Sequence, residues 1–166
     1  MASYIDKIVT RLHLQHARLP RVPMTDKRLI QNDGVATPEQ CKSYQQRIGN
    51  LIYPAVVLRP DISFAASILS RFNKNSSPEH IREVHHVIRY LAATKHMGIQ
   101  YSGNIELEKL MIAASDASFA DDECRRSTQG FLIKLSGVPI TWQSSLQRTI
   151  VLSNTEAEIM ALTSLG

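Results

Sequence analysis

The 166 residues amount to 18.6 kDa, with 43% hydrophobic content and a formal net charge of +4 at a pI of about 9.2. That is enough apolar material for one domain, or for a small domain with an appendage, and no apolar run approaches the roughly 18 residues that a membrane span needs. The opening Met1-Ala2-Ser3-Tyr4-Ile5-Asp6 lacks the charged-then-apolar layout of a signal peptide, so a soluble intracellular chain with no membrane partner is expected.

The basic balance permits a polyanionic partner without demanding one. Cys41 and Cys124 stand far apart with none of the paired spacing of a zinc or disulfide framework, and a reducing compartment is the default.

In chain order, Tyr4, Ile5, Ile8, Val9 and Leu12 recur at helical spacing after Ser3, a candidate N-cap. Residues 17–38 carry Pro20, Pro23, Asn32, Asp33 and Gly34 without periodicity and read as an irregular connection. Thr37-Pro38-Glu39-Gln40 starts a helix through both cap and proline, with Tyr44, Ile48, Leu51, Ile52 and Ala55 as its stripe. Pro54 and Arg59-Pro60 are expected to limit it. A third helix starts at Pro60-Asp61, burying Ile62, Ala65, Ala66 and Leu69, and a fourth at Ser77-Pro78-Glu79, burying Ile81, Val84, Ile88 and Leu91.

After Gly98 the register changes. Ile99 and Tyr101 alternate with polar residues, Gly103-Asn104 makes a turn, and Lys109 leads into the apolar run Leu110-Met111-Ile112-Ala113-Ala114, which suits a strand covered on both faces and ending at Asp116. Residues 130–135 are strand-like, Ser136-Gly137 is a two-residue turn signal, and Val138 to Trp142 returns as the hairpin partner. A polar loop from Gln143 to Arg148 and a short β-type run, Thr149 to Leu152, lead to a last helix capped by Ser153-Asn154-Thr155. It carries Glu156 and Glu158 in its first turn and Ile159, Leu162 and Leu165 at apolar spacing. Trp142 is expected in the hairpin core.

An Asp at a strand end and a Glu in the first turn of a later helix can converge on one Mg²⁺, a hard ion that prefers carboxylate oxygens. Two such ions held by about four acids can cleave a phosphodiester. By pattern alone, Asp116 serves equally as a turn-former and Glu158 as a complement to the helix dipole. Arg125, Arg126, Ser127 and Thr128 have the chemistry of phosphate contacts, and equally that of a charged turn. Among His80, His85, His86 and His96 only His85 and His86 are neighbours, and adjacent residues do not share a helix face, which argues against a metal site there. Arg59 and Asp61 suit a local ion pair at a helix start.

Several motifs together carry a resemblance. Tyr44-Gln45-Gln46-Arg47-Ile48-Gly49-Asn50-Leu51-Ile52-Tyr53, Arg59-Pro60-Asp61-Ile62, Leu69-Ser70-Arg71-Phe72, Pro78-Glu79-His80 and Ile88-Arg89-Tyr90-Leu91 with Thr94 resemble the connection region of copia-type retrotransposon Pol polyproteins. Ser115-Asp116-Ala117-Ser118-Phe119-Ala120-Asp121-Asp122, Arg126-Ser127-Thr128-Gln129-Gly130-Phe131, Ile140-Thr141-Trp142-Gln143-Ser144, Gln147 and Leu152-Ser153-Asn154-Thr155-Glu156-Ala157-Glu158 resemble the start of that family's ribonuclease H domain.

The resemblance implies a mixed α/β (α+β) chain: a helical region similar to reverse transcriptase thumb and connection over residues 1–97, then a truncated ribonuclease H-like fold over 98–166, a three-stranded antiparallel meander plus first helix. It implies hydrolysis of RNA in RNA–DNA hybrids with Mg²⁺ or Mn²⁺, Asp116 as the first ligand and catalytic acid and Glu158 as the second. Glu158 has the Glu-x-x-Ala-apolar spacing of relatives, whereas Glu156 points about 200° away on the helix. The family's later acids and its polymerase palm are expected to be missing from a chain ending at Gly166, leaving an inactive fragment with an unpaired sheet edge prone to self-association. The implied partners are an RNA–DNA hybrid or other nucleic acid and the remainder of a Pol polyprotein, in cytoplasm, nucleus or a virus-like particle. The alternative is a non-catalytic nucleic-acid-binding or interaction module.

Overall fold

The computed structural model describes residues 1–25, 28–101 and 110–164, and divides the chain into two compact units, Met1–Gly98 and Ile99–Gly166. The expected turn at Gly103-Asn104, with Lys109 and Leu165, lies outside the described residues.

The first unit is helical: α1 (Ala2–Arg11), α2 (Pro38–Val57), a 3-10 turn (Pro60–Ile62), α3 (Ser63–Ser70) and α4 (Pro78–Ala93). The apolar stripes legible in the sequence meet in one core, with Ile5, Ile8, Tyr44, Ile48, Leu51, Ile62, Leu69, Val84, Ile88 and Leu91 all buried. Ile81, expected inside, is only partly buried against it. Helix α1 begins two residues earlier than its Ser3 signal, with Met1 in the cap position and no side-chain cap. Thr37 and Gln40 form a reciprocal capping box on α2, and Ser77 and His80 do the same on α4.

Pro54 does not stop α2, which runs on to Val57. A mid-helix proline leaves the carbonyl four residues back without its N–H partner. That carbonyl belongs to Asn50, and it accepts the Tyr4 hydroxyl at 3.4 Å. The proline is buried, so the lost backbone bond is offset by packing and by a donor from α1.

The irregular connection between α1 and α2 is strapped along α4. Glu83 accepts from the Thr25 hydroxyl at 2.9 Å, the carbonyl of Val22 lies 3.0 Å from His86 Nε2, and the carbonyl of Ile30 lies 2.9 Å from His80 Nε2. His80 Nδ1 accepts the Ser77 N–H at 2.9 Å, so the proton sits on Nε2 and donates to Ile30.

Arg59, only 2% exposed, ties the end of α2 to the end of α4. It makes a bidentate pair with Asp61 at 2.9 and 2.7 Å and donates to the Thr94 carbonyl and hydroxyl at 3.1 and 2.6 Å. The Tyr90 hydroxyl donates to Asp61 at 2.9 Å, and the guanidinium lies 5.6 Å from the Tyr90 ring centroid.

In the second unit, β1 (Met111–Ser118), β2 (Thr128–Leu135) and β3 (Val138–Leu146) form an antiparallel sheet in the order β1-β2-β3, and α5 (Asn154–Thr163) packs on β1 and β2. Ser136 and Gly137 both have positive φ, 48° and 80°, as a two-residue hairpin turn of primed type requires. Strand β3 continues through Leu146 and absorbs Gln143 to Leu146 of the expected polar loop, with an irregularity in its pairing at Ile133 and Lys134. Val138 is followed there by Pro139, tolerated on an edge strand beside a bulge.

Five expectations for this unit are corrected. Ile99 to Tyr101 is irregular rather than strand. Strand β1 is not covered on both faces: Met111 is 68% exposed and only Ala117 is buried, because α5 is the sole element packed against it among the described residues. Thr149 to Leu152 pairs with no strand, and Val151 instead fills the seam formed by Ala117, Ala157 and Ala161. Helix α5 turns that alanine stripe inward, leaving Ile159 and Leu162 exposed, since small residues let the helix lie close to the sheet. Trp142 is half-buried opposite Leu132 rather than in a core.

Arg59 is buried although Asp61 is not, so removing the carboxylate of this bidentate pair leaves a buried guanidinium uncompensated. Asp61→Asn is therefore expected to destabilise the helical unit by about 3 kcal/mol in urea denaturation. Burial pushes the Asp61 pKa up, but the hydrogen bonds from Arg59 and Tyr90 outweigh it and hold the carboxyl below its ordinary value. Such a group stabilises the fold above its unfolded pKa, near 4, and that stability is lost as pH falls through the lower folded value. The acid limb of a pH–stability profile should flatten in Asp61→Asn.

Candidate functional site

Asp116 is the sixth of the eight residues of β1, inside the strand rather than at its exit, and it pairs across with Gly130 on β2. Directly opposed residues share a face, so the missing side chain at Gly130 leaves the flank of Asp116 open. Asp116 is exposed. Successive strand residues point to opposite faces, so Asp116 stands on the face away from Ala117, and the alanine seam under α5 belongs to the other face.

Helix α5 starts at a cap built from two side chains. The Ser153 hydroxyl accepts the Glu156 N–H at 3.1 Å, and the Glu156 carboxylate accepts the Leu152 N–H at 2.8 Å. Glu156 is thereby committed to the helix start. Glu158 is half-buried, one position past the buried Ala157.

The connection from β1 to β2 is organised by acids that sequence reasoning passed over. Asp121 accepts the Thr128 N–H at 2.8 Å and its hydroxyl at 2.5 Å, and Asp122 pairs with Arg126 at 3.3 Å. The Ser127 hydroxyl accepts the Ala120 N–H at 3.2 Å. Of the four expected phosphate contacts, Ser127 and Thr128 are thus buried with their hydroxyls engaged, Arg126 is half-buried against Asp122, and Arg125 is exposed. Arg125 and Ala120 take positive φ, 58° and 51°, as the tight course of the loop demands.

Gln147, 1% exposed, was legible only as part of a motif and has a distinct task. Its N–H donates to the Ser127 carbonyl at 2.8 Å and its Nε2 to the Ala157 carbonyl at 2.9 Å. It therefore locks the loop before β2 to the first turn of α5, next to Glu158. An Asx-like or Gln anchor of this kind is invisible in a sequence because its partners are backbone atoms.

Among the described residues no three His, Cys, Asp or Glu side chains gather to hold a metal ion. The described residues alone do not make up a complete Mg²⁺ or Mn²⁺ centre. The histidines are spent otherwise: His80 is buried and stacked on Phe72 at 3.8 Å between centroids, and His85 accepts from Arg47. No helix among the described residues is long and apolar enough to cross a membrane.

A helical unit followed by a β-meander and a capped helix defines a mixed α/β chain consistent with a partial ribonuclease H-like fold. The chain is 32% identical over 171 aligned positions to the retrovirus-related Pol polyprotein from transposon TNT 1-94 of Nicotiana tabacum, a match covering 99% of this chain and 13% of that protein. It is 41% identical to secreted RxLR effector protein 161 of Plasmopara viticola, over 72% of this chain and 83% of that one. With the Pol polyprotein from transposon RE1 of Arabidopsis thaliana it shares 33% over 93% of its length, spanning 10% of the relative. The chain belongs to the Pol polyprotein family of copia-type retrotransposons, and corresponds to a small segment of the full polyproteins. No family model and no solved structure matches it.

The two kinds of acid should separate on mutation. Asp121→Ala strands a buried Thr128 N–H and hydroxyl and is expected to cost about 1–3 kcal/mol. Asp116→Asn, at an exposed strand position, should stay within about 0.5 kcal/mol of the parent. Thermal denaturation followed by circular dichroism reads both.

Proposed function

We propose that the chain is the part of a copia-type Pol polyprotein that leads from reverse transcriptase into ribonuclease H, with residues 1–97 as the thumb- and connection-like region and 98–166 as the opening of the ribonuclease H-like domain. Its ancestral chemistry is metal-dependent hydrolysis of RNA in RNA–DNA hybrids. The observation that carries the reading is the order of the second unit: an antiparallel meander with Asp116 on its first strand, then a helix packed on that strand that carries Glu158 at its fifth residue, just past the first turn in which the sequence places it. Asp116 and Glu158 are what this chain would contribute to catalysis. Glu156, committed to the cap, is the weaker candidate.

By itself the chain does not cleave. Two-metal hydrolysis depends on several preorganised acids, and the described residues bring no three together. Any Mg²⁺ or Mn²⁺ centre would need acids from elsewhere in a Pol polyprotein, and the cellular site would be that of the element, in cytoplasm, nucleus or a virus-like particle.

A second reading, a non-catalytic nucleic-acid-binding or interaction module, is favoured by one comparison. The relative named as an effector is spanned over 83% of its length, so closely similar residues occur in a protein with little room for the rest of a polyprotein.

A fluorogenic RNA–DNA hybrid assay with Mg²⁺ or Mn²⁺ tests the first reading. The 166-residue polypeptide should show no turnover above buffer, and Asp116→Asn should change nothing. Clear turnover that Asp116→Asn abolishes would overturn the claim of inactivity.

A further inference from the structure

The chain's modest net charge conceals a division. Residues 1–98 carry fourteen Lys and Arg against seven Asp and Glu, a net of +7, and residues 99–166 carry five against eight, a net of −3. A polyanion is attracted to the helical unit and repelled by the sheet unit.

Within the helical unit, α2 and α4 gather three basic side chains at one place. Arg47 Nε donates to His85 Nε2 at 3.3 Å, and its Nη1 donates to the Ser43 carbonyl at 2.9 Å and to the Ser43 hydroxyl. Arg89, one turn beyond His85, donates Nε to the His85 carbonyl at 3.3 Å and Nη1 to the Arg18 carbonyl at 3.4 Å. All three are half-buried.

None of these acceptors is a carboxylate. Glu83, the acid nearest on α4, is turned to the Thr25 N–H and hydroxyl at 3.5 and 2.9 Å. An arginine only donates, so His85 Nε2 is a bare lone pair and the ring is neutral. Burial first, then the charges of Arg47 and Arg89, push the His85 pKa down, with no acid opposing them. Nη2 of each arginine has no protein partner among the described residues. Half-buried guanidiniums ordinarily meet a carboxylate. Here two are oriented by backbone carbonyls, with their outer donors left for an anion, and a phosphate oxygen pair fits such donors.

We propose that Arg47, His85 and Arg89, with Arg18 at the rim, form a phosphate-binding site on the helical unit whose ligand is the sugar–phosphate backbone of a nucleic acid strand. One phosphate occupies the Arg47–Arg89 pair. Exposed Arg18, Arg21 and Arg82, on the same strap and helix, supply charge for its neighbours along the strand. The site deepens the nucleic-acid-binding reading but does not depend on Asp116, Glu158 or any cleavage.

The test is fluorescence anisotropy of a fluorescein-labelled RNA oligonucleotide on the whole chain across salt. Arg47→Gln with Arg89→Gln should lower affinity at least tenfold and flatten the plot of log K against log salt by about 0.7 per phosphate contact removed. Arg47→Lys with Arg89→Lys should restore most of the salt slope, whereas Arg125→Gln with Arg126→Gln should leave binding unchanged. Histidine NMR on the parent chain gives a readout free of folding effects: inorganic phosphate should raise the His85 pKa, the resonance being assigned by His85→Gln. Unaltered RNA affinity in the folded Arg47/Arg89 double variant, a His85 resonance indifferent to phosphate, or binding to anionic lipid vesicles without binding to RNA would each overturn the proposal. Failure of this site would leave the hybrid-cleavage result untouched.

Discussion

The helical unit depends on Arg59. A guanidinium almost wholly removed from water is tolerable only when its donors are met and its charge is paired, and here Asp61 supplies the charge while the Thr94 carbonyl and hydroxyl take donors on the other side. Arg59 and these two partners belong to three different pieces of chain. Arg59 follows the end of α2, Asp61 lies in the 3-10 turn that opens α3, and Thr94 is the C-cap of α4. One side chain thus fixes where α2 ends, how the chain turns into α3 and where α4 stops. Tyr90 adds a ring beneath the cation and a hydroxyl on the anion, so the knot specifies geometry even where its net stabilisation is small.

The sheet unit has a weaker constraint. Its seam is a few alanines and one valine, and large apolar side chains such as Leu152, Ile159 and Leu162 remain outside it. A close helix-to-sheet contact through small residues sets the position of α5 accurately but buries little area, and hydrophobic stabilisation follows area. Gln147 compensates with two hydrogen bonds to backbone atoms of Ser127 and Ala157. The geometry around Asp116 and Glu158 therefore rests on one polar anchor and a capped helix end rather than on a deep core.

Much of the helical unit was legible because its signals are local. Thr37-Pro38 and Ser77-Pro78 name their own helix starts, and the stripes after them carry a period that only one face can bury. What failed was tertiary. Pro54 is a breaker unless another element supplies a donor to Asn50, and Tyr4 does so from α1. In the sheet, the hairpin turn at Ser136-Gly137 was legible from backbone requirements alone. The apolar run before Asp116 resembled a doubly covered strand, yet coverage depends on what packs on it, which no local pattern records. Likewise the apolar spacing of α5 pointed to Ile159 and Leu162, whereas the structure buries Ala157 and Ala161 against Ala117 and leaves the larger side chains exposed. The two candidate acids were separated by resemblance alone, and in the structure Glu156 accepts the Leu152 N–H at the helix start.

The basic charge and the two proposed acids lie in different units, and this bears on how such a segment could work. The acids of the sheet unit give it a net negative charge, so nucleic acid held there would have to be held against repulsion unless cations intervened. The helical unit carries the opposite field, and among the described residues the acceptors of Arg47 and Arg89 are a histidine nitrogen, a hydroxyl and backbone carbonyls. Affinity and chemistry are then separable properties of this chain. A copy without the metal chemistry proposed for the family would keep the proposed phosphate surface, because Arg47, His85 and Arg89 are positioned by α2, α4 and the strap beside them, and none of those elements contains Asp116 or Glu158.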